Sequence, residues 1–579
     1  MIKILTNLKP FAFTVVLVIL FIFLQAMTEL SLPTLMADIV DNGMMKGDTE
    51  YILRYGAIML FVALFSSLCS ITGAYYSSKI AAGFGRNLRN KVFTRIENYS
   101  LHEFDKFGTA SLITRTTNDI VQIQNIIIVL LRFMVFAPIM CIGGVIMAIS
   151  RDKELTLILL VSIPILLVFM GLIARTVMPL FKSMQKKLDR LNMILRENLT
   201  GIRVIRAFNK QYYERERFLQ ANKDLTDTAI KVNRTMAVMH PAVMLIMNLT
   251  SIAITWFGGL RISQQEMQIG DMMAFIQYAM LIMFSFIMVA VMFVMIPRAQ
   301  ASAERINEVL EMRPEITDPA ESLTIPEGLK GHVKFENVTF RYPGAEEPVI
   351  YNISFEAEPG KTIAIIGGTG SGKSTLIHLI PRFYDVSDGR ILINGIDISM
   401  ISQEELRKKI GLVTQSAFLF SGTIAENIRF GKQDATDEEV IHAAEVAQAA
   451  DFIAEMPAGF ETEIAQGGTN LSGGQKQRIS IARALVRKPE IYIFDDSFSA
   501  LDYRTDALLR ESLKQETKDA TVIIVAQRVS TILDADCILV LEEGKLAGMG
   551  SHKELMSTCE VYREIVASQL SEEEMKEYE

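Results

Sequence analysis

Six stretches of this chain are each apolar over about the 20 residues that an α-helix, rising ~1.5 Å per residue, needs to cross the hydrocarbon of a bilayer. They centre on Phe11 to Leu32, Ala57 to Tyr76, Ile126 to Ile149, Leu155 to Ala174, Met236 to Leu260 and Met272 to Ile296. Any one of the last five, taken alone, suits a buried core helix, but six together exceed what a soluble core holds. The first follows Lys3 and Lys9, as a signal peptide would. It is too long for one and lacks a small-residue cleavage site, so it reads as a retained helix. Half of the 579 residues are hydrophobic, and that excess is concentrated in the first half of the chain.

Charge orients the spans. The connection after the second carries Lys79, Arg86, Arg89, Lys91, Arg95, Lys106 and Arg115, and that after the fourth carries Lys182, Lys186, Lys187, Arg190, Arg196, Arg203 and Arg206. Both face the cytoplasm by the positive-inside bias, which puts both termini inside a cell membrane. The opposite connections are short or acidic, with Asp38, Asp41, Asp48 and Glu50 in the first of them. Helical spacing persists inside the long connections, as in Val121, Gln124 and Ile128 or Leu188, Leu191, Ile194 and Leu195, so the membrane helices are expected to continue into the cytosol. A formal net charge of −8 leaves no global basic field for nucleic acid. Cys69, Cys141, Cys537 and Cys559 are scattered and support neither a disulfide framework nor a zinc site.

From Pro297 to Lys330 the chain is polar and contains Pro314, Pro319 and Pro326, the pattern of a helix fraying into a linker. Beyond Gly331, β-rich stretches (Val333 to Phe340, Thr362 to Ile366, Ile410 to Val413, Ile491 to Phe494, Thr521 to Val525, Cys537 to Glu542) alternate with helical ones. The expected fold is a membrane α-helical bundle of six transmembrane helices fused to an α/β domain, which the run Gly367 to Ser374 makes a P-loop nucleotide-binding domain. Its boundaries are 1–305 for the membrane domain with two long cytosolic loops, 306–330 for the linker and 331–579 for the nucleotide domain. The acidic run Ser571 to Glu579 reads as a solvated helix end.

The chemistry is concentrated in that second domain. The strand Thr362 to Ile366 runs into Gly367-Gly368-Thr369-Gly370-Ser371-Gly372-Lys373-Ser374, then Thr375 and a helical run, which is the phosphate-binding loop in its required context. Glycines let backbone N–H groups point inward at a β-phosphate, the helix N-terminus favours its charge, Lys373 reaches the β/γ oxygens and Ser374 suits Mg²⁺. The strand Ile491 to Phe494 ends in Asp495, where a Mg²⁺-holding carboxylate belongs, and Asp496 follows.

Just upstream of that strand lies Leu471-Ser472-Gly473-Gly474-Gln475. Here the chain resembles the ATP-binding cassette (ABC) transporters, whose signature motif this pentapeptide matches, and six spans before one cassette resemble an exporter half-transporter. The resemblance implies ATP and Mg²⁺ as ligands and a cassette dimer in which each ATP lies between one chain's P-loop and the other chain's signature motif. It assigns Tyr342 of Phe340-Arg341-Tyr342-Pro343 to adenine stacking, Gln415 of Val413-Thr414-Gln415 to the loop near Mg²⁺ and the membrane interface, and Asp502 to the D-loop. It also implies that helices in the two long inner loops dock on cassettes.

Two positions depart from the family pattern. Asp496 stands where most members have the glutamate that polarises water, one methylene short, and a misplacement of about 1 Å can cost on the order of 100-fold in rate. Gln527 stands where the switch histidine belongs and lacks an imidazole's geometry and charge. Gln466 likewise replaces a frequent glutamate. The resemblance is therefore to the degenerate-site subunit of bacterial heterodimeric multidrug exporters, whose partner, a second half-transporter, supplies the catalytic glutamate and switch histidine while this chain's intact signature completes the competent site.

Polar residues in the spans are candidates for contact with a small amphipathic substrate, because desolvating them is costly: Gln25, Glu29, Arg132, His240, Asn248 and Gln277. Interhelical hydrogen bonding is the plain alternative for several of them. The sixth span is rich in Met and Phe, a composition that suits either an adaptable apolar surface or lipid packing. The expected activity is ATP-driven efflux; the rivals are a lipid or peptide exporter and an ATP-binding regulatory subunit with little turnover. Vectorial transport by the purified pair separates the pump from the regulator.

Overall fold

The computed structural model describes residues 2–324 and 331–569, and falls into two compact units, residues 1–97 with 109–312 and residues 98–108 with 313–579. The expectations for Pro326 and for Ser571 to Glu579 lie outside the described residues.

The first unit is built on the helices Ala12–Asp38, Thr49–Glu97, Asn118–Arg151, Thr156–Thr200, Gln211–Ser263 and Ile269–Glu311. Among the described residues, six helical segments are long and apolar enough to cross a membrane. The helix Gln211–Ser263 has 53 residues, about 80 Å at the helical rise, which is well over twice the ~30 Å of hydrocarbon. Sequence periodicity beyond the apolar runs therefore becomes continuous helix. The sixth helix runs through Pro297 to Glu311, past the expected start of the linker, because Pro297 falls inside a long helix whose other turns hold it.

Ion pairs close the two ends of this unit. At the end opposite the basic loops, Arg151 pairs with Asp271 at 2.6 Å and Arg261 with Asp152 at 2.8 Å and with Glu154, joining the connections around 150–154 and 261–271. At the basic end the buried Asp119 carboxylate accepts from Arg305 Nε at 2.8 Å and from Ser302 Oγ at 2.9 Å, fixing the third long helix to the sixth. Arg115 donates to the Arg305 carbonyl at 2.6 Å.

The second unit contains two principal sheets. In the first, β1 (Val333–Phe340), β2 (Ile350–Ala357), β4 (Asp388–Ile393) and β5 (Ile396–Asp397) are antiparallel in the order β2-β1-β4-β5. In the second, β3 (Thr362–Gly367), β6 (Ile410–Val413), β9 (Ile491–Asp495), β10 (Thr521–Val525), β11 (Cys537–Glu542) and β12 (Lys545–Gly550) take the order β12-β11-β3-β10-β9-β6. A two-residue pair, β7 (Gly422–Thr423) and β8 (Glu463–Ile464), stands apart. All six expected strands are present, and β2, β4, β5, β7, β8 and β12 are additional. β9 and β10 are buried along their whole length, as parallel strands covered on both faces must be.

Parallel register matters more for function than the strand count. Val525 of β10 stands opposite Ile365 of β3 and Asp495 of β9, so three adjacent strands end together and release their loops at one edge. Residues 98–108 join this unit through the short helix Leu101–Phe107. Its Glu103 carboxylate accepts from the Ser100 backbone at 2.8 Å and from the Glu315 backbone at 3.1 Å.

Candidate nucleotide site

The loop after β3 is shaped by its glycines. Gly370 and Gly372 have φ of 82° and 94°, a region open to glycine and strained for other residues. A Cβ at Gly372 would lie 2.7 Å from Ile350 Cδ1, whereas at Gly368 or Gly370 it would meet nothing within 4 Å. One side of the loop is thus packed on β2 and the other is open. Ser371 is buried, and its Oγ has no hydrogen-bond partner among the described residues. A buried orphan hydroxyl facing a glycine-rich turn fits an anionic ligand's oxygen, which can accept its proton.

Lys373 opens the helix Lys373–Leu379 and donates to the carbonyls of Gly367 at 2.9 Å and Gly368 at 2.8 Å; burial holds its ammonium below the ordinary lysine range. The next residue, Ser374, donates to Asp495 Oδ1 at 3.0 Å. Hydroxyl and carboxylate so paired are the two donors that Mg²⁺ takes in nucleotide sites, and the residues present fit that ion with ATP. Burial pushes the Asp495 carboxyl up, and His378 lies 4.0 Å from its Oδ2. Tyr342 is half-buried, its hydroxyl 3.0 Å from Thr375 Oγ1 and its ring edge-on to Phe340 and Tyr384. Thr369 is exposed at the loop's mouth.

Asp496 is the most constrained residue of the group. It is buried with φ of 46°, a left-handed conformation that aspartate tolerates better than most residues. Its N–H donates to the Val525 carbonyl at 2.9 Å, and its own carbonyl accepts from Ser499 Oγ at 2.9 Å. Its carboxylate Oδ2 accepts from Gln527 Nε2 at 2.8 Å and from Gln415 Nε2 at 3.2 Å. Burial raises this carboxyl, against the lowering effect of hydrogen bonds from Gln415 and Ser499. Gln415 meets Asp496 rather than the Ser374–Asp495 pair.

The signature residues lie on another element. Ser472 caps the helix Gly473–Leu485 and Gln475 completes a capping box, its Oε1 accepting from the Ser472 N–H at 2.9 Å. Leu471 packs on the domain core, and a Cβ at Gly474 would lie 3.2 Å from the Ala500 carbonyl, a tight approach that glycine permits. No hydrogen bond joins 471–475 to the P-loop among the described residues. Asp502 caps the helix Tyr503–Glu516 through the Thr505 N–H at 3.0 Å, which holds its carboxyl below the usual range.

In the membrane unit only Gln25 and Glu29 meet among the six candidates, Gln25 Nε2 donating to Glu29 Oε1 at 2.8 Å. Arg132 is half-buried, while His240, Asn248 and Gln277 are exposed. Asn248 lines a groove of ≈ 740 Å³ with Ser251, Thr255 and Trp256.

Sequence reasoning missed His378, Ser499 and Gln569. His378 was within reach, since it lies four residues after Ser374 on the same helix face. Ser499 bonds the Asp496 carbonyl three residues back, whereas Gln569 reaches the backbone at 527 and 529, about 40 residues away, which no local pattern reveals.

Comparison with known proteins decides the family. Residues 15–286 match the ABC transporter transmembrane region and residues 350–499 the ABC transporter domain. An uncharacterized ABC transporter ATP-binding protein of Mycobacterium tuberculosis is 44% identical over 97% of both chains. This chain belongs to the ABC transporter family. A fatty acid ABC transporter ATP-binding/permease protein of Mycobacterium bovis is 37% identical over 82% of this chain and 75% of its own. A bacterial Atm1-family ABC exporter solved with ATP bound superposes with a TM-score of 0.80 at 28% identity, over 96% of this chain and 98% of the other. The ABC half-transporter is accordingly a multi-pass membrane protein of the exporter fold, with an ATP-hydrolysing domain that drives export.

Proposed function

We propose that this ABC half-transporter is one subunit of a heterodimeric exporter of hydrophobic or amphipathic compounds, that it holds MgATP at its own P-loop with little turnover, and that it lends Leu471 to Gln475 to a partner's competent site. The observation that supports this reading is the state of Asp496. Asp496 Oδ2 already accepts two amide N–H groups, at 2.8 and 3.2 Å, which compete with its taking a proton from water although burial raises the carboxyl, and the amide at 527, unlike an imidazole, does not titrate and so relays no proton. Bound MgATP supplies the phosphoryl group whose transfer to water drives the cycle. Lys373, Ser371 and the loop N–H groups bind and orient phosphate, Ser374 and Asp495 hold the metal, Gln415 ties its own loop to Asp496, and Tyr342 lines the base.

Both termini and the cassette face the cytoplasm in this reading, with the basic inner loops against the anionic leaflet. Exposed Asn248, His240 and Gln277 within apolar helices favour a polar-lined path, since lipid-facing amides are costly. The M. bovis relative named as a fatty acid transporter favours a second reading, lipid export by the same machinery.

ATPase activity tests the assignment, measured on this chain alone and with a half-transporter that has glutamate and histidine at the two departing positions, each with and without Asp496→Glu plus Gln527→His. The lone chain should be nearly inactive and the pair active, with turnover lost when the partner's glutamate becomes glutamine. Brisk ATPase from a homodimer of the unmodified chain overturns the proposal.

A further inference from the structure

The loop that presents Gln527 is held from the far end of the domain. Gln569 lies just past the helix Glu560–Ala567, whose Tyr562 and Val566 are fully packed in the core, so its backbone is anchored. Its side chain makes two bonds to one short segment: Nε2 donates to the Gln527 carbonyl at 2.8 Å, and Oε1 accepts from the Val529 N–H at 2.9 Å. The amide's orientation is fixed by its partners, because the carbonyl can take only a donor and the N–H only an acceptor. Val529 opens the short 3₁₀ turn Val529–Thr531, whose preceding residue provides no side-chain cap, so Gln569 satisfies an otherwise orphan N–H. One residue's amide thus brackets position 527 from its own carbonyl to the N–H two residues on. The Gln527 side chain then reaches Asp496 Oδ2 at 2.8 Å.

We infer that Gln569 is a positioning residue for the nucleotide site: it sets the rotation of the 527–529 segment and thereby the bond from Gln527 to Asp496. The inference rests on the reading of this P-loop as an ATP-holding site. Its physical content is a chain of three groups in which the outermost touches no nucleotide. Without Gln569 the Gln527 carbonyl and the Val529 N–H turn to water, the segment gains freedom, and the Gln527 amide no longer points at Asp496 for most of the time.

The test is a double-mutant cycle on the full-length chain in nanodiscs, read as equilibrium binding of radiolabelled MgATP, with thermal unfolding as the control for folding. Gln569→Ala should weaken ATP binding by about threefold to fivefold, the scale of a solvent-accessible hydrogen bond, since both Gln569 and Gln527 are exposed. Gln527→Ala should do so to a similar extent, and the double variant no more than either alone, because the second change removes a group already mispositioned. Gln569→Glu separates positioning from plain capping, since its carboxylate still accepts from Val529 but cannot donate to the Gln527 carbonyl. It should bind ATP as poorly as Gln569→Ala while the Val529 amide stays protected from hydrogen exchange. Additive losses in the cycle, or wild-type binding by Gln569→Glu, would overturn the inference. Lys373→Ala supplies the separate check: if it binds ATP as well as the unmodified chain, the ATP-site reading itself fails.

Discussion

In the proposed reading a single carboxylate decides what the nucleotide site can do. Asp496 is buried, strained to a φ of 46° and engaged by Gln415 and Gln527 through the same oxygen. If that oxygen is no general base, removing its charge should hardly matter for rate: Asp496→Asn in the assembled pair should leave ATP turnover within about twofold, because the amide oxygen still accepts from both glutamines. In the proposed heterodimer, the matching glutamate-to-glutamine change in the second half-transporter should cost more than about 100-fold. A drop of that larger size from Asp496→Asn, measured as steady-state phosphate release, would show that Asp496 catalyses. The identity of this residue was legible in the sequence, since it follows an apolar strand that ends in Asp495. Its entanglement was not, because Gln415 and Gln527 lie 81 and 31 residues away and meet it only through the sheet register.

At the scale of elements, local patterns carried the motifs and missed the edges. The run Thr362 to Ser374 announces strand, loop and helix within one short window, and β9 and β10 are continuous apolar runs because both their faces are covered. β4 begins with three exposed residues, Asp388 to Arg390, and β12 alternates exposed and half-buried positions, so neither offers an apolar run to detect. β2 carries a period-two pattern, with Ile353, Phe355 and Ala357 turned inward, that the sequence reading passed over. The signature helix illustrates a motif whose local role is structural as well. Ser472 and Gln475 form its capping box, so Ser472→Ala should destabilise the cassette by about 1 kcal/mol even without nucleotide, and Ser472→Asp should restore most of that loss. Chemical denaturation of the detergent-solubilised chain without ATP reads this directly; an unchanged midpoint for Ser472→Ala removes the capping role.

At the scale of the molecule, residues 98–108 are the informative segment. They follow directly from the helix ending at Glu97, yet belong with the nucleotide unit. Glu103, 3% exposed, accounts for this. One carboxylate oxygen caps its own helix through Ser100, and the other accepts from the Glu315 N–H, 212 residues away in sequence. No sequence pattern could reveal that bond, because neither residue lies in a periodic run that points to the other. The bond ties the short helix to the segment entering the cassette, and the expectation to be tested is that a displacement of the cassette reaches the second and third long helices through the peptide backbone. Glu103→Ala removes both acceptors. Transport per ATP hydrolysed by the reconstituted pair should then fall on the order of tenfold, matching the loss of a buried hydrogen bond, while ATPase stays within about twofold. Glu103→Gln keeps an oxygen for only one of the two donors and should fall between. Parallel loss of transport and ATPase would instead mean that Glu103 serves the folding of the cassette, and the mechanical link through 98–108 would then have no support.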